Sequence, residues 1–355
     1  LNKLILIGNG FDLAHRINTS YNHFIEAYFK NIYGKSLNPN KYSDSLIEVL
    51  SPFPNSLVNP VEASKSTYSD FFYHDNVNFD IKSDFFRSLL ETRKLENWVD
   101  IEDLLFNEIF NLINFEKKQI DIKRIKKLNH DFEYLKKKLI EYLKEITIDL
   151  KVVADQRYLD KFLSGIKNLN KDSITFLNFN YTNTINVYID KCHEFFEKQV
   201  DSEILSSRIK RINIHGNLYE ENNLPIFGIG DEHHDKYKAI KEFKDIYSIL
   251  RNSKSFWYQR NNNYKDLMRV LNAKPNCKVE IYGHACGLSD RTLLKNIFEH
   301  KSVYTIELFH FGGLDGYVKQ SYDIWRHFDD SQAYRTKLVS YKEENEMPQI
   351  TEVIK

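Results

Sequence analysis

Histidine is the side chain suited to proton transfer near neutral pH, and two histidines here adjoin a glycine just after an apolar run. His215-Gly216 follows Ile212-Asn213-Ile214, and Gly283-His284 follows Glu280-Ile281-Tyr282. Gly216 is expected to leave the His215 imidazole accessible to a reactant; a histidine serving the structure is the other reading. Ser289 and Asp290 add a hydroxyl and a carboxylate close behind His284, or else an N-cap for the following helix. A third segment, Asn178-Phe179-Asn180-Tyr181-Thr182-Asn183-Thr184, gathers amides and hydroxyls directly after an apolar run. Buried without partners, each would cost about 1–3 kcal/mol, and a polar ligand would satisfy them. An Asx turn with Thr182 or Asn183 capping the next helix satisfies them equally. In Gly8-Asn9-Gly10-Phe11-Asp12 the glycines would let the backbone approach a phosphate, with Asn9 or Asp12 bonding a sugar or base. Leu13 stands where a full dinucleotide fingerprint has its third glycine, so a plain glycine turn is the alternative.

Two acidic groups call for metal or acid/base chemistry. Phe227-Gly228-Ile229-Gly230-Asp231-Glu232-His233-His234-Asp235 carries carboxylates and imidazoles without a recognisable ligand spacing, so no metal is expected. Trp98-Val99-Asp100-Ile101-Glu102-Asp103 sets Asp100 and Asp103 one helical turn apart and points Glu102 elsewhere, as an acidic helix start also would. The basic runs Lys123-Lys127 and Lys136-Lys138 read as solvated helix faces, with nucleic-acid contact as the other option.

These segments need a scaffold that brings strand ends together. Lys3-Leu4-Ile5-Leu6-Ile7 is a strand-like run followed by a helical pattern over Ser20 to Tyr33. Residues 38–79 are rich in Pro, Ser and Asn and read as a long loop or lid, and 81–169 are helical, with Leu135, Leu139, Tyr142, Leu143 and Ile146 on one face. Strand-like runs return at Ser173-Phe179, Arg211-His215, Lys278-Tyr282 and Ser302-Leu308, with helices expected at Asn186-Lys198, Asp235-Ser253 and Leu293-His300. Alternating strands and helices predict an α/β, Rossmann-like fold: a mainly parallel sheet flanked by helices, with a large helical insertion. Residues 1–37 and 170–330 would form the core, 38–169 the loop and helical cap, and 331–355 a C-terminal extension. Ligands of such sheets bind beyond the carboxyl ends of the strands, where four of the unusual segments fall.

The 355 residues suffice for a core without disulfide or metal staples, and Lys+Arg balance Asp+Glu at 50 each, giving no global field for nucleic acid. Cys192, Cys277 and Cys286 are odd in number and lack C-x-x-C spacing, which suits a reducing compartment. The opening apolar run is too short for a signal peptide, and no stretch approaches the roughly 18 apolar residues of a membrane span. A cytoplasmic protein with no membrane association is expected.

Leu4-Ile5-Leu6-Ile7-Gly8-Asn9-Gly10-Phe11-Asp12-Leu13, Trp98-Val99-Asp100-Ile101-Glu102, Phe179-Asn180-Tyr181-Thr182, Ile214-His215-Gly216, Gly228-Ile229-Gly230-Asp231 and Tyr282-Gly283-His284 occur in this order along most of the chain. Together they resemble the AbiH family of bacteriophage abortive-infection proteins. The resemblance implies antiphage defence, in which an infected cell arrests or dies before the phage completes its cycle. The order of Gly8-Asn9-Gly10, Asn180, His215-Gly216 and Gly283 is also similar, more distantly, to sirtuin-like domains. That likeness implies NAD as substrate, with Asn180 positioning water or the nicotinamide ribose and His215 as general base. It also implies a nucleotide pocket made by Gly8, Asn9, Gly10, Phe11, Asp12, Tyr181, Thr182, Gly216, Gly283, His284, Ser289 and Asp290. The four-cysteine zinc module of deacylating sirtuins is absent, so NAD hydrolysis is the expected chemistry. Two alternatives stand beside it. One is a metal-dependent nuclease or nucleotidyl-group enzyme using Asp100, Glu102, Asp231 and Glu232; the other is a non-enzymatic nucleotide sensor. A phage-derived trigger and self-association are compatible with each.

Overall fold

The computed structural model describes residues 1–36, 42–50, 79–91, 98–230, 235–273 and 275–350. The chain divides into two compact units. The first comprises residues 1–17, 146–237 and 253–355, and the second residues 18–145 and 238–252.

The first unit is built on a five-stranded, all-parallel sheet of β1 (Asn2–Ile7), β2 (Ser173–Asn178), β3 (Ile209–Asn213), β4 (Cys277–Tyr282) and β5 (Val303–Phe309). Their spatial order is β3-β2-β1-β4-β5, so chain order reverses direction at β1, as in Rossmann-like sheets. β1 is buried throughout because it is covered on both faces. Leu4 and Leu6 join a core with Leu267 and Leu271 of one helix (Asn263–Ala273), Leu294 and Ile297 of a second (Arg291–Phe298), and Ile324 of a third (Gly313–Trp325). Ile5 and Ile7 point to the opposite core, with Tyr158 and Phe162 of the helix Gln156–Leu163 and Tyr188 and Cys192 of Asn186–Phe196. The period of two is why a continuous apolar run was needed here rather than an alternating one.

Lys3, on the Ile5 side, is also buried. Its ammonium lies 3.0 Å from Glu280 and donates to the carbonyls of Lys161, Phe162 and Ser164 at the C-terminal end of the helix Gln156–Leu163. Lys278 bridges Glu280 and Glu307, and Lys342 and Asn345 complete Glu307. Burial raises the Glu307 carboxyl, but the Asn345, Lys278 and Lys342 bonds outweigh this and bring it to about 2.

Strand registers align Asn213, Asn178, Ile7, Tyr282 and Phe309 in one row across the sheet. The segments expected at strand ends therefore leave the sheet side by side. Gly8 is followed at once by a short helix (Asn9–Ala14) rather than by an open turn.

The second unit is mainly helical, with long helices at Tyr21–Ser36 and Trp98–Asn111 and short antiparallel pairs of Ile47–Val49 with Phe79–Ile81 and Ile113–Asn114 with Gln119–Ile120. The expected helix over 235–253 is broken into Asp235–Ile240 and Ile246–Leu250. Among the described residues no helix is long and apolar enough to cross a membrane.

Candidate functional site

Beyond the carboxyl ends of β1 and β4 the backbone itself is closely packed. Gly10 N–H donates to the Gly283 carbonyl at 2.8 Å, and Gly8 N–H to that of Tyr282 at 3.0 Å. A Cβ on Gly8 would lie 2.4 Å from His284 Cα, and one on Gly283, which has φ +64°, 2.2 Å from Phe11 N. The glycines of the two motifs are thus explained first by each other. Their contact draws His284 against the first turn.

Asn180 ties β2 to the same place, since its side-chain amide donates to the Gly8 carbonyl at 3.0 Å. Its own N–H is held by Asn178 Oδ1, and Asn178 Nδ2 bonds the Asn180 carbonyl and Asn213 Oδ1. Most amides of the third segment are therefore satisfied within the fold. Thr182 does not cap the following helix; its hydroxyl donates to Asp12 Oδ2 at 2.7 Å. Asp12 is buried, its Oδ1 has no hydrogen-bond partner, and burial raises its carboxyl to about 6 against the bonds from Thr182 and its neighbours.

A second layer is charged. Asp290 Oδ1 accepts from Lys254 Nζ at 2.8 Å and lies 3.0 Å from His215 Nε2, while Oδ2 lies 3.6 Å from His284 Nε2. Lys254 is 2% exposed, Asp290 5% and His215 6%. Tyr258 OH sits 3.1 Å from His215 Nε2, and Ser289 Oγ 3.4 Å from the Lys254 ammonium. Phe179 packs against both imidazoles, 5.0 Å from His215 and 4.0 Å from His284 by ring centroids. Asp290 precedes a helix, yet its carboxylate makes no capping bond; it is committed to the cluster.

Burial alone would raise the Asp290 carboxyl, but the Lys254 ammonium and His215 imidazole hold it well below the usual carboxylate range. Burial lowers His215 despite the attraction of Asp290, so the imidazole is neutral at pH 7. An ionised Asp290 fixes the His215 proton on Nε2 and leaves the lone pair on Nδ1, the tautomer of an oriented general base. On His284 the Cys286 N–H donates to Nδ1, which leaves the proton for the Nε2 that faces Asp290.

The structure thus brings together Gly8, Gly10, Asp12, Asn180, Thr182, His215, Gly283, His284, Ser289 and Asp290. Asn9 is half-buried at the start of its helix. Phe11 is core, packed on His15, Tyr158 and Tyr188. Tyr181 donates its hydroxyl to the Ile226 carbonyl. Gly216 does not open access to His215 as expected: at φ +82° it makes a turn, and a Cβ there would lie 2.3 Å from the Leu224 carbonyl oxygen. Lys254 and Tyr258 were not foreseen. Lys254 is placed by its N–H bond to the Ile229 carbonyl, and Gly230 lets that segment meet the Ser289 carbonyl, where a Cβ would stand 2.0 Å away.

Asp231, Glu232, His233, His234 and the side chain of Asp100 lie outside the described residues, and Glu102 is buried in the second unit. Among the described residues no group of three or more His, Cys, Asp or Glu is placed to hold a metal ion.

Fold and site define a Rossmann-like α/β protein with a histidine-carboxylate centre beyond the carboxyl ends of its parallel strands. Residues 4–311 match the family described as Bacteriophage abortive infection AbiH, and the chain belongs to that family. Comparison with curated proteins gave no match.

Proposed function

We propose that the chain acts in abortive infection by hydrolysing NAD or a related nucleotide at the His215-Asp290 centre. The observation that carries this reading is the contact of His215 Nε2 with Asp290 Oδ1 at 3.0 Å, with His284 linking the same carboxylate to the Gly8-Gly10 segment that follows β1. Parallel sheets bind nucleotides at such a reversal of strand order. A buried Lys-Asp-His cluster is also costly to keep for stability alone, since apolar residues of similar volume would serve as well or better.

In the proposed step, water attacks the anomeric carbon of the nicotinamide ribose as the carbon–nitrogen glycosidic bond breaks. The bond pair returns to the pyridinium nitrogen, so nicotinamide leaves neutral, and Nδ1 of His215 takes the proton of the attacking water. Asn180 orients the ribose or the water, and the fixed geometry supplies most of the acceleration because the leaving group is already activated. Loss of NAD would then arrest the infected cell.

The test is cellular NAD during induced expression, comparing the intact chain with Asn180→Ala and His215→Ala variants whose folding is verified by circular dichroism. A fall in NAD that both substitutions abolish supports the reading. Growth arrest with NAD unchanged overturns it.

A further inference from the structure

The turn that carries His284 is gripped by the helix Gly313–Trp325 and by His327 just beyond it. Gln320 Nε2 donates to the His284 carbonyl at 2.6 Å, and His327 Nε2 lies 2.7 Å from the Cys286 carbonyl. Positions 320, 324 and 327 follow helical spacing, and Ile324, between the two polar residues in sequence, is fixed in the core.

Two local costs converge on this turn. Cys286 has φ +53°, a region that side chains other than Asn and Asp seldom adopt. In that conformation its N–H donates to Nδ1 of His284, two residues earlier, at 3.0 Å, while its carbonyl meets His327. His327 bears the second cost. Burial lowers it to about 4, so the imidazole is neutral at pH 7, and because a carbonyl can only accept, the proton sits on Nε2. Nδ1 is then a buried acceptor with no hydrogen-bond partner, beside the Phe298 ring. An apolar side chain would fill that place without the penalty; it would lose the bond to the Cys286 carbonyl. Such local violations gather where function requires a fixed geometry.

The group so fixed is His284. A backbone N–H can only donate, so the bond from Cys286 leaves the His284 proton on Nε2, 3.6 Å from Asp290 Oδ2. His215 Nε2 meets the other oxygen, so the carboxylate that orients His215 is itself flanked by His284.

We propose that Gln320 and His327 are positioning residues: by holding the carbonyls of His284 and Cys286 they keep the His284 proton on Nε2, facing Asp290. The consequence for turnover, through the orientation of Asp290, rests on the hydrolysis proposed above; the tautomer is read without turnover.

The test is the imidazole nitrogen spectrum of the full-length protein carrying nitrogen-15-labelled histidine, with the His284 signals assigned by their absence from His284→Gln. A single tautomer protonated on Nε2 is expected in the intact chain. His327→Leu and Gln320→Met, with folding verified by circular dichroism, should each replace it by a mixture whose two nitrogen shifts are drawn together. His327→Gln places an amide donor where Nε2 stood and should keep the intact pattern, a rescue that packing alone would not give. Where His327→Leu does not fold, Gln320→Met puts the same question at the other carbonyl. A proton on Nδ1 in the intact chain, an unchanged tautomer in the folded His327→Leu and Gln320→Met variants, or a mixture in His327→Gln would each overturn the proposal. Unchanged cellular NAD counts against the hydrolysis alone, so the two failures are told apart.

Discussion

Nε2 of His215 lies 3.0 Å from Oδ1 of Asp290, although 75 residues separate them in the chain. The pair exists because β3 and β4 end on the same row of the sheet, and because Lys254 offsets the charge that Asp290 would otherwise bury alone.

Removing one member of a buried charge pair leaves the other unpaired. Lys254→Met should destabilise the fold by about 3–5 kcal/mol in urea denaturation. The double variant Lys254→Met with Asp290→Asn should be markedly less destabilised than the sum of the single changes. Additive losses would show that the two side chains do not interact.

The pH dependence of the proposed hydrolysis follows from His215. Protonation removes its lone pair, and its folded-state value is below the ordinary 6.5, so activity should be flat near pH 7 and fall only at more acidic pH. Asp290 raises His215, so any residual activity of Asp290→Asn should persist to lower pH still. A pH–rate profile of NAD turnover checks both statements; a limb rising above pH 7 would assign the base elsewhere.

Asp12 makes an independent prediction about stability. Its carboxyl is raised from 3.8 to about 6, so its ionisation is disfavoured by folding. The associated stability is present at low pH and lost as pH rises through about 6, amounting to at most about 3 kcal/mol. Asp12→Asn should remove this dependence, so that the difference in Tm between variant and wild type shifts in the variant's favour between pH 4 and pH 7. Parallel Tm curves would refute the assignment.

The glycines should separate sharply on substitution. Gly283→Ala forces a Cβ to 2.2 Å from Phe11 N at a positive φ, and should prevent accumulation of folded protein. Gly34 lies within the helix Tyr21–Ser36 with nothing near an added Cβ, so Gly34→Ala should be neutral or stabilising by up to about 1 kcal/mol. Thermal melts of the two variants decide the matter.

The middle of the sheet was legible because β1 and β2 are short apolar runs cut off by Gly or Asn, and a strand buried on both faces has no other pattern to show. The meeting of Gly8, Asn180, His215 and His284 was legible for the same reason: each sits just past such a run. Asp290 was half legible, since a carboxylate before a helix reads equally as a cap until its capping bond is found absent. Lys254 was not legible at all. Lys254 stands just past the helix expected over 235–253, and nothing local reveals an ammonium buried against an acid 36 residues away. The helix Gly313–Trp325 was hidden by Gly312, Gly313 and Gly316, which lower helix propensity where the pattern begins.

The placement of β1 at the middle of the sheet governs how the protein is made. Asn2 pairs with Ser173 on one side and Cys277 on the other, so β1 leaves the ribosome long before either of the strands that flank it. At ordinary elongation rates it waits on the order of 10–60 s for its second neighbour, with an apolar edge unpaired. A fragment released before residue 290 lacks Asp290 altogether, so an interrupted message yields a sticky, unfinished sheet and never the assembled centre.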